Sequence, residues 1–449
     1  MSKFFPPTIN PETESEAYFV AQALAYYRDM KKIAQNAPFG QFLNYAEAVA
    51  LSQGRELIRT SLETIVQEEV SNIEKKNETA LCPNCQEKKR NRGGRTKQIV
   101  AAVGTIAVER RYDECSPCHH SEYVVDALLG LENRYTIGLR SFATYAGTGK
   151  SFAEAQKDLH KYLGLKISHM TIRDLCDKEA VKMKEWQETS SEIQKDFMAA
   201  RGVVEVTMDA AKVNTTEGWK DAKVGIISKR EFGESALPEE WETRKLPRPS
   251  IRVAFAAIEG KEFFQQRVND WRRRLRLGAN GDISVLGDGA DWIWNISKAV
   301  FGNVRENLDV FHGLEHLSDA GKVLYGDDTD AYKEWQEGTK WEFLREGFTL
   351  IEQRLDVLDQ QEWELREREE LRKLRGYLAG QSGRLNYAER LLEGRAIGSG
   401  QVEGACKSMI GKRLKQTGAK WLVPRLNRMT MLCAIRYRDQ WEQYWNYAN

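Results

Sequence analysis

The chain has 449 residues, enough for about three domains, with 41% hydrophobic residues to fill real cores and a net charge of +1 despite 30% charged residues. That balance excludes an overall basic protein, so any surface for nucleic acid must be local. No apolar run is long enough to cross a bilayer, and residues 1–18 lack a signal peptide's basic head and apolar centre, so a cytoplasmic location is expected and the seven cysteines should be reduced or metal-bound.

Residues 1–80 read as a helical N-terminal region. Segments 14–32 and 44–76 carry apolar residues at mixed spacings of three and four, with Pro38-Phe39-Gly40 between them. Residues 81–121 are different. Cys82-Pro-Asn-Cys85 and Cys115-Ser-Pro-Cys118 flank a stretch, GTIAVERRY, that alternates like a strand. Two Cys-x-x-Cys pairs about a hairpin are the spacing of a zinc ribbon, in which each pair supplies two thiolates to one tetrahedral ion. His119 and His120 are expected outside the ligand set. The ribbon is basic, and Arg90, Arg92 and Arg95 are candidate phosphate contacts, although a solvated charge run is the ordinary explanation.

Residues 122–200 read as helical. Gly147-Thr-Gly-Lys-Ser151 resembles a phosphate loop only superficially: Thr144 stands where the motif needs glycine, and no strand precedes it, so no nucleotide cofactor is expected. Residues 151–163, Gly164 and residues 168–184 read helix, turn, helix, with Ser168 as N-cap. The second helix carries His169, Arg173, Lys178 and Lys182. Two readings stay open: a DNA-reading helix-turn-helix with Arg173 on the recognition helix, or two packed helices.

From residue 201 the pattern changes again. Strands are expected at 203–209, 222–228 and 252–258, with a charged loop, 229–249, read as an excursion. A basic helix at 263–277, a strand at 283–286, a helix at 292–300 and a strand at 304–310 follow. Asp209 closes the first strand. Asp288 closes the fourth, between Gly287 and Gly289. The motif Asp309-x-x-His312 begins at the end of the fifth. Residues 323–395, rich in Glu, Arg, Leu and Trp, read as inserted helices. Residues 396–449 begin with a glycine-rich lead-in to a helix bearing Glu403. Between 407 and 428 there are seven Lys or Arg residues and no acid, with Trp421 among them. Lys407, Lys412, Arg413, Lys415 and Lys420 are candidate phosphate clamps and Trp421 a candidate base-stacking platform. The three carboxylates, distant in sequence, suit a two-metal phosphoryl-transfer site if strand tips bring them together. Asp291 and Asp309 are the rivals for the second acid.

The words VTMDAAKVN, EGWKDAKVGII, VLGDGADWIWN, DVFHGLEHL, RLNYAERLLEGRAIGSGQVEGACK and RLKQTGAKW resemble, in order and over roughly the last half of the chain, bacterial insertion-sequence DDE transposases of the ISKra group. The resemblance implies an α/β core of RNase H-like type, a mixed five-stranded sheet with flanking helices. It divides into a first part at 201–322 and a second at 396–449, around the 323–395 insertion. It implies DNA cleavage and strand transfer with Asp209, Asp288 and Glu403 as catalytic acids. Two Mg²⁺ (or Mn²⁺) ions would serve the site, and Asp309 and His312 would be auxiliary. The implied partners are the double-stranded DNA of transposon ends and target, bound by a homodimer or larger assembly.

Overall fold

A computed structural model describes residues 11–77, 81–131, 133–278, 281–438 and 440–448. The expected features at residues 1–10, and the boundary at residue 80, lie outside them. The chain divides into two compact units, residues 1–147 with 152–175 and 448–449, and residues 148–151 with 176–447.

The first unit begins with α1 (Glu14–Gln35) and α2 (Phe42–Lys76), which pack as a helical hairpin. The second expected helix runs the full predicted span. Strands β1 (Lys89–Ala101) and β2 (Gly104–Cys115) form an antiparallel hairpin, and a short β3 (Ser121–Glu122) adds to it. Alternation along the hairpin turns Ile99, Ile106 and Val108 inward against Val70 of α2 and against Val125 and Leu131. Val125 belongs to the one-turn helix α3 (Val124–Leu128). Helices α4 (Ile137–Gly149) and α5 (Phe152–Leu163) follow, then α6 (His169–Thr189), whose residues from Cys176 on belong to the second unit. The 147–151 motif ends a helix rather than following a strand. Gly164 takes the left-handed conformation that closes α5. The Ser168 hydroxyl caps α6, accepting the Thr171 N–H at 3.1 Å.

The second unit continues with α7 (Glu192–Ala199) and then builds one sheet. Its strands are β4 (Val203–Thr215), β5 (Gly218–Arg230), β6 (Ile251–Ala257), β7 (Ile283–Gly287) and β8 (Arg305–Leu308). The spatial order is β6-β5-β4-β7-β8, with β4, β5 and β6 antiparallel neighbours and β7 and β8 parallel to β4. This is the expected mixed five-stranded sheet with flanking helices. The first two strands are longer than expected, because the β4–β5 hairpin continues past the core as a two-stranded ribbon. The crossover helices are α8 (Lys261–Arg274) and α9 (Asp291–Phe301). Asp291, a rival for the second acid, is instead the first residue of α9.

Helices α10 (Val310–Tyr325), α11 (Asp330–Glu346), α12 (Phe348–Leu358), α13 (Leu365–Gly380) and α14 (Tyr387–Leu392) make the inserted region. They share a core with Leu308 of β8, built from Leu317, Trp335, Phe343, Leu355, Leu374 and their neighbours. The charge-rich stretch is therefore an amphipathic bundle with its own apolar centre. The chain then enters α15 (Gly400–Ala405), a π-helical turn over Cys406–Gly411, and α16 (Lys412–Leu414). Helix α17 (Val423–Tyr437) packs on β6, and α18 (Trp441–Ala448) closes the chain.

Candidate metal centre and carboxylate site

The two Cys-x-x-Cys turns are built alike. In the first, Gln86 donates its N–H to the Cys82 carbonyl at 2.9 Å; in the second, His119 donates to the Cys115 carbonyl at 2.9 Å. Both Gln86 and His119 have positive φ, 61° and 56°, so each turn coils back and exposes its two sulfurs on one side. The hairpin sets the turns against each other. Cys85 Sγ lies 3.4 Å from both Cys115 Sγ and Cys118 Sγ, and Cys82 Sγ lies 3.5 Å from Cys118 Sγ. A tetrahedral ion with Zn–S bonds of about 2.3 Å needs sulfurs roughly 3.8 Å apart. The four cysteines alone, without His119 or His120, are the one set of three or more His, Cys, Asp or Glu ligand atoms within 4.8 Å of one another among the described residues. They can hold a metal ion such as zinc. Burial raises the Cys82 thiol pKa, but N–H groups at Asn84 and Cys85 and the neighbouring thiols outweigh it and bring it down to about 6. The other three sit above the ordinary thiol value. Sulfurs this close share protons unless a cation takes their place.

Around the cluster, Arg90, Arg92 and Arg95 are exposed. Arg92 pairs with Glu114 at 2.8 Å, and Arg95 lies over the Tyr112 ring at 4.5 Å. Arg173, on α6, pairs with its neighbour Asp174 at 2.7 Å and is partly buried.

In the sheet, register does the positioning. Thr207 of β4 lies opposite Leu286 of β7, so two residues further Asp209 comes level with Asp288. Gly287 lies opposite Leu308 of β8, so Asp309 comes level with Asp288 in turn. Asp288 and Asp309 follow the carboxyl ends of β7 and β8, whereas Asp209, expected to close its strand, lies level with them inside β4, which runs on to Thr215; open α/β sheets bind ligands at this edge. Their environments separate them. Burial raises the Asp209 pKa, partly offset by hydrogen bonds from the Cys406 thiol and the Ala210 N–H; the Asp288 charge adds to the rise. Asp288 sits in the loop before α9, where its Oδ1 accepts the Ala290 N–H at 2.9 Å. Its carbonyl is held by the Tyr377 hydroxyl at 3.1 Å, and Gln381 donates to the Gly289 carbonyl, also at 3.1 Å. Gly289 has φ +96°, and a Cβ there would come within 2.7 Å of the Tyr377 hydroxyl. Only glycine fits that bend.

Asp309 is spent on structure. It is buried and caps α10, its Oδ1 accepting N–H bonds from Phe311 at 2.8 Å and His312 at 3.2 Å. Its Oδ2 accepts from the Ser399 backbone N–H and, at 2.6 Å, from the Ser399 hydroxyl. This corrects the auxiliary role expected for it: both oxygens fix the start of α10 and the lead-in to α15. The expected strand at 304–310 accordingly ends at Leu308. His312 touches Asp309 through its backbone; its ring, half exposed, faces Glu315 at 3.6 Å.

Glu403 lies on α15, which packs against β4 and β5. Gln401, two residues earlier, donates to Glu205 at 2.6 Å and to Ser228 at 3.1 Å, anchoring the helix to the sheet. One turn after Glu403, Cys406 reaches Asp209. The Glu403 carboxylate itself is exposed and pairs with Lys407 at 2.6 Å. The structure brings Asp209 and Asp288 together and places the Glu403 helix beside them, but it does not gather the three carboxylates into one ligand set.

The basic tail splits in two. Lys407, Lys412, Lys415 and Lys420 are exposed. Arg413 and Trp421 are buried, the guanidinium 4.8 Å over the indole. Trp421 exchanges backbone hydrogen bonds with β4, donating to the Asn214 carbonyl at 3.1 Å and accepting from Thr216 at 2.9 Å, while its ring N–H donates to the Leu414 carbonyl. These two residues are core, and their expected roles in stacking and phosphate contact are withdrawn. Arg425 and Arg428 both face Asp177, at 2.9 and 3.6 Å, so an acid that sequence order hides compensates part of the tail. No helix among the described residues is long and apolar enough to cross a membrane. Compared with known proteins, the chain matches no family model and no curated protein.

Proposed function

We propose that the chain is a DDE-type DNA transposase whose RNase H-like core cuts and joins DNA in a metal-dependent reaction. The observation that carries this reading is the pair Asp209 and Asp288, level on adjacent parallel strands, with the helix bearing Glu403 packed on the same strand as Asp209. The sheet order, third-second-first-fourth-fifth with the first three strands antiparallel, supports an RNase H-like assignment. Two carboxylates side by side, one raised in pKa by burial and by the other's charge, form a donor set that suits a hard divalent cation. Magnesium there would supply charge relief at the leaving oxygen and an activated water. Asp209 and Asp288 fit that role as they stand. Glu403 joins them only by leaving Lys407, and an exposed pair of this kind is worth at most about 1 kcal/mol. The exposed Arg90, Arg92 and Arg95 of the ribbon, and Lys407, Lys412, Lys415 and Lys420, are the phosphate contacts of this reading, with double-stranded DNA as partner and a homodimer or larger assembly on it.

The ungathered third acid favours a second reading, a zinc-containing DNA-binding protein without catalysis. One experiment separates the two. In magnesium, the wild-type protein should cleave and join DNA carrying the ends of its own element. Glu403→Gln should keep DNA binding in calcium and lose at least about a hundredfold in cleavage. Asp209→Asn and Asp288→Asn should match it, with little further loss on combination, because the acids act as a unit. Wild-type protein that binds these ends and never cuts them would establish the second reading. Cleavage without joining would make the protein a nuclease on the same fold.

A further inference from the structure

A cavity of about 430 Å³ opens beside the start of α15, lined by none of the three carboxylates. Its walls include Arg230, Arg244, Arg252, Trp241, Phe311 and Tyr437, and residues 396–401 form its floor. Arg244 and Trp241 come from the 229–249 loop, which the sequence presents as a mere excursion.

The charges in this cavity do not balance. The Arg230 guanidinium is matched by buried Glu205, 3.0–3.1 Å away. Arg244 and Arg252 have no carboxylate partner among the described residues, and no acidic residue lines the cavity. Arg244 spends one terminal nitrogen on the Arg395 carbonyl at 2.6 Å. Its other terminal nitrogen, Nη1, is buried and makes no hydrogen bond among the described residues, and the same holds for the indole Nε1 of Trp241. Arg252 lies over the Tyr437 ring at 5.1 Å, with its Nη1 3.5 Å from the Tyr437 hydroxyl. Burial and the nearby Arg230 charge lower the Arg244 pKa, the mark of a cation held without its counterion. Buried donors are almost always satisfied in folded proteins. Two guanidiniums without a carboxylate line one cavity, Arg244 and Arg252, and a buried nitrogen of Arg244 and the neighbouring Trp241 N–H are unsatisfied, which points to an oxyanion.

We propose that this cavity binds the phosphate of a nucleoside monophosphate unit, with Arg244 and Arg252 on the phosphate and the aromatic walls against the base. Guanidinium groups suit phosphate through paired N–H donors. The volume exceeds what a bare phosphate fills. Trp241 and Phe311, with ring centroids 5.5 Å apart, give the cavity an aromatic wall, and Arg252 lies over one face of Tyr437. The unit could be a free nucleotide or one nucleotide of a DNA strand; the chemistry is shared. This site uses none of the carboxylates and stands or falls apart from the catalytic reading.

The test is equilibrium titration of the full-length protein in EDTA, followed by tryptophan fluorescence, with dAMP, inorganic phosphate, deoxyadenosine and the oligonucleotide d(A)12. dAMP should bind at least about tenfold more tightly than phosphate or deoxyadenosine. Arg244→Gln should weaken dAMP about tenfold or more, and Trp241→Phe, which keeps a ring and removes the N–H, by a few-fold, about threefold. Arg252→Gln serves as a second probe of the phosphate should Arg244→Gln lower the thermal midpoint. Binding should persist in Asp209→Asn/Asp288→Asn. Tighter binding of d(A)12 than of dAMP, lost in Arg244→Gln, assigns the site to a strand; equal affinities assign it to the free nucleotide. The proposal is overturned if dAMP binds no better than phosphate, or if Arg252→Gln and Trp241→Phe both bind dAMP like the wild type.

Discussion

The cysteine cluster and the carboxylate site solve the same problem, gathering ligands for a cation, and they stand at different stages of it. The four sulfurs already lie at coordinating distance. Of the three acids, two stand side by side and the third turns away to a lysine. Chemistry explains the contrast better than fold does. Of the four thiols only Cys82 has its pKa brought below neutrality, so the sulfurs at 3.4–3.5 Å carry little charge against one another. Carboxylates near neutrality are charged, and three in one place repel at several kcal/mol in a partly buried site. Chain distance adds to this. Each cysteine pair is set by a turn of five residues, whereas Glu403 is joined to Asp288 through α9, β8 and the five helices α10–α14. The sulfurs converge through two local turns; the acids converge only through strand register and a long insertion, and Glu403 ends against Lys407.

The sharpest way to break this comparison is to remove what completes the first site. Purified protein should contain about one zinc per chain, and Cys82→Ser or Cys115→Ser should lose it. Apparent binding energies of structural zinc are about 10–16 kcal/mol, far more than a hairpin of this size can replace. Amide exchange should therefore collapse across 81–122 on zinc removal, while the five-stranded sheet stays protected. Zinc-free protein with an intact hairpin would mean that the sulfurs are held by packing alone.

The next largest effect should fall on Asp309. Its carboxylate serves four donors from two segments, so Asp309→Ala strands buried N–H and O–H groups and should cost about 3–5 kcal/mol in denaturant unfolding. Glu403→Gln, losing one exposed pair, should cost less than about 1 kcal/mol. If the two variants were equally stable, the lead-in to α15 would not be anchored as described.

A third, smaller effect separates the halves of the basic tail. Lys412→Gln with Lys415→Gln should leave stability alone and flatten the salt dependence of DNA binding by up to about two units. Arg413→Gln should do the reverse. It should lose about 1–3 kcal/mol of stability, because it removes a buried group packed on Trp421, and leave the slope unchanged. A slope that responds to Arg413 and not to the lysines would move the DNA path.

These differences mark what the sequence could tell. The end of β7 was legible, since a short apolar run ending in Gly-Asp-Gly carries its own punctuation, whereas β4 runs six residues past Asp209 into a ribbon that Asp-Ala does not announce. So were the cysteine turns and the Ser168 cap, which are local. Asp309 was legible in part: an acid just before Val-Phe-His is an N-cap signal, read instead as the end of a strand. Trp421 was not legible. Its burial depends on an exchange of hydrogen bonds with Asn214 and Thr216, some two hundred residues away, and nothing near Trp421 announces it. The same holds for Asp177, which neutralises Arg425 and Arg428 from another helix. The bundle at 323–395 was visible as helix, but its shared core with Leu308 needed the sheet edge to be known.

The smallest effect concerns how firmly the Asp288 loop is held. The Tyr377 hydroxyl supports that loop, and its ring packs on His316 of α10, with centroids 3.8 Å apart. Burial lowers the His316 pKa below the ordinary 6.5, and His312 lowers it further, while Glu315, Asp319 and Glu370 act the other way. The folded protein therefore binds this proton less readily than the unfolded chain. The stability contributed by neutral His316 is fully present above about pH 6.5 and is lost as pH falls through the folded value. Solvent reaches about half of the ring's surroundings, so the loss should stay below about 1 kcal/mol. His316→Phe keeps an aromatic face on Tyr377 and removes the proton. In urea unfolding between pH 7.5 and 5, the wild type should lose slightly more stability than the variant. A wild type that gained on the variant as pH fell would reverse the sign of the shift, and with it the claim that His316 supports Tyr377 as a neutral ring.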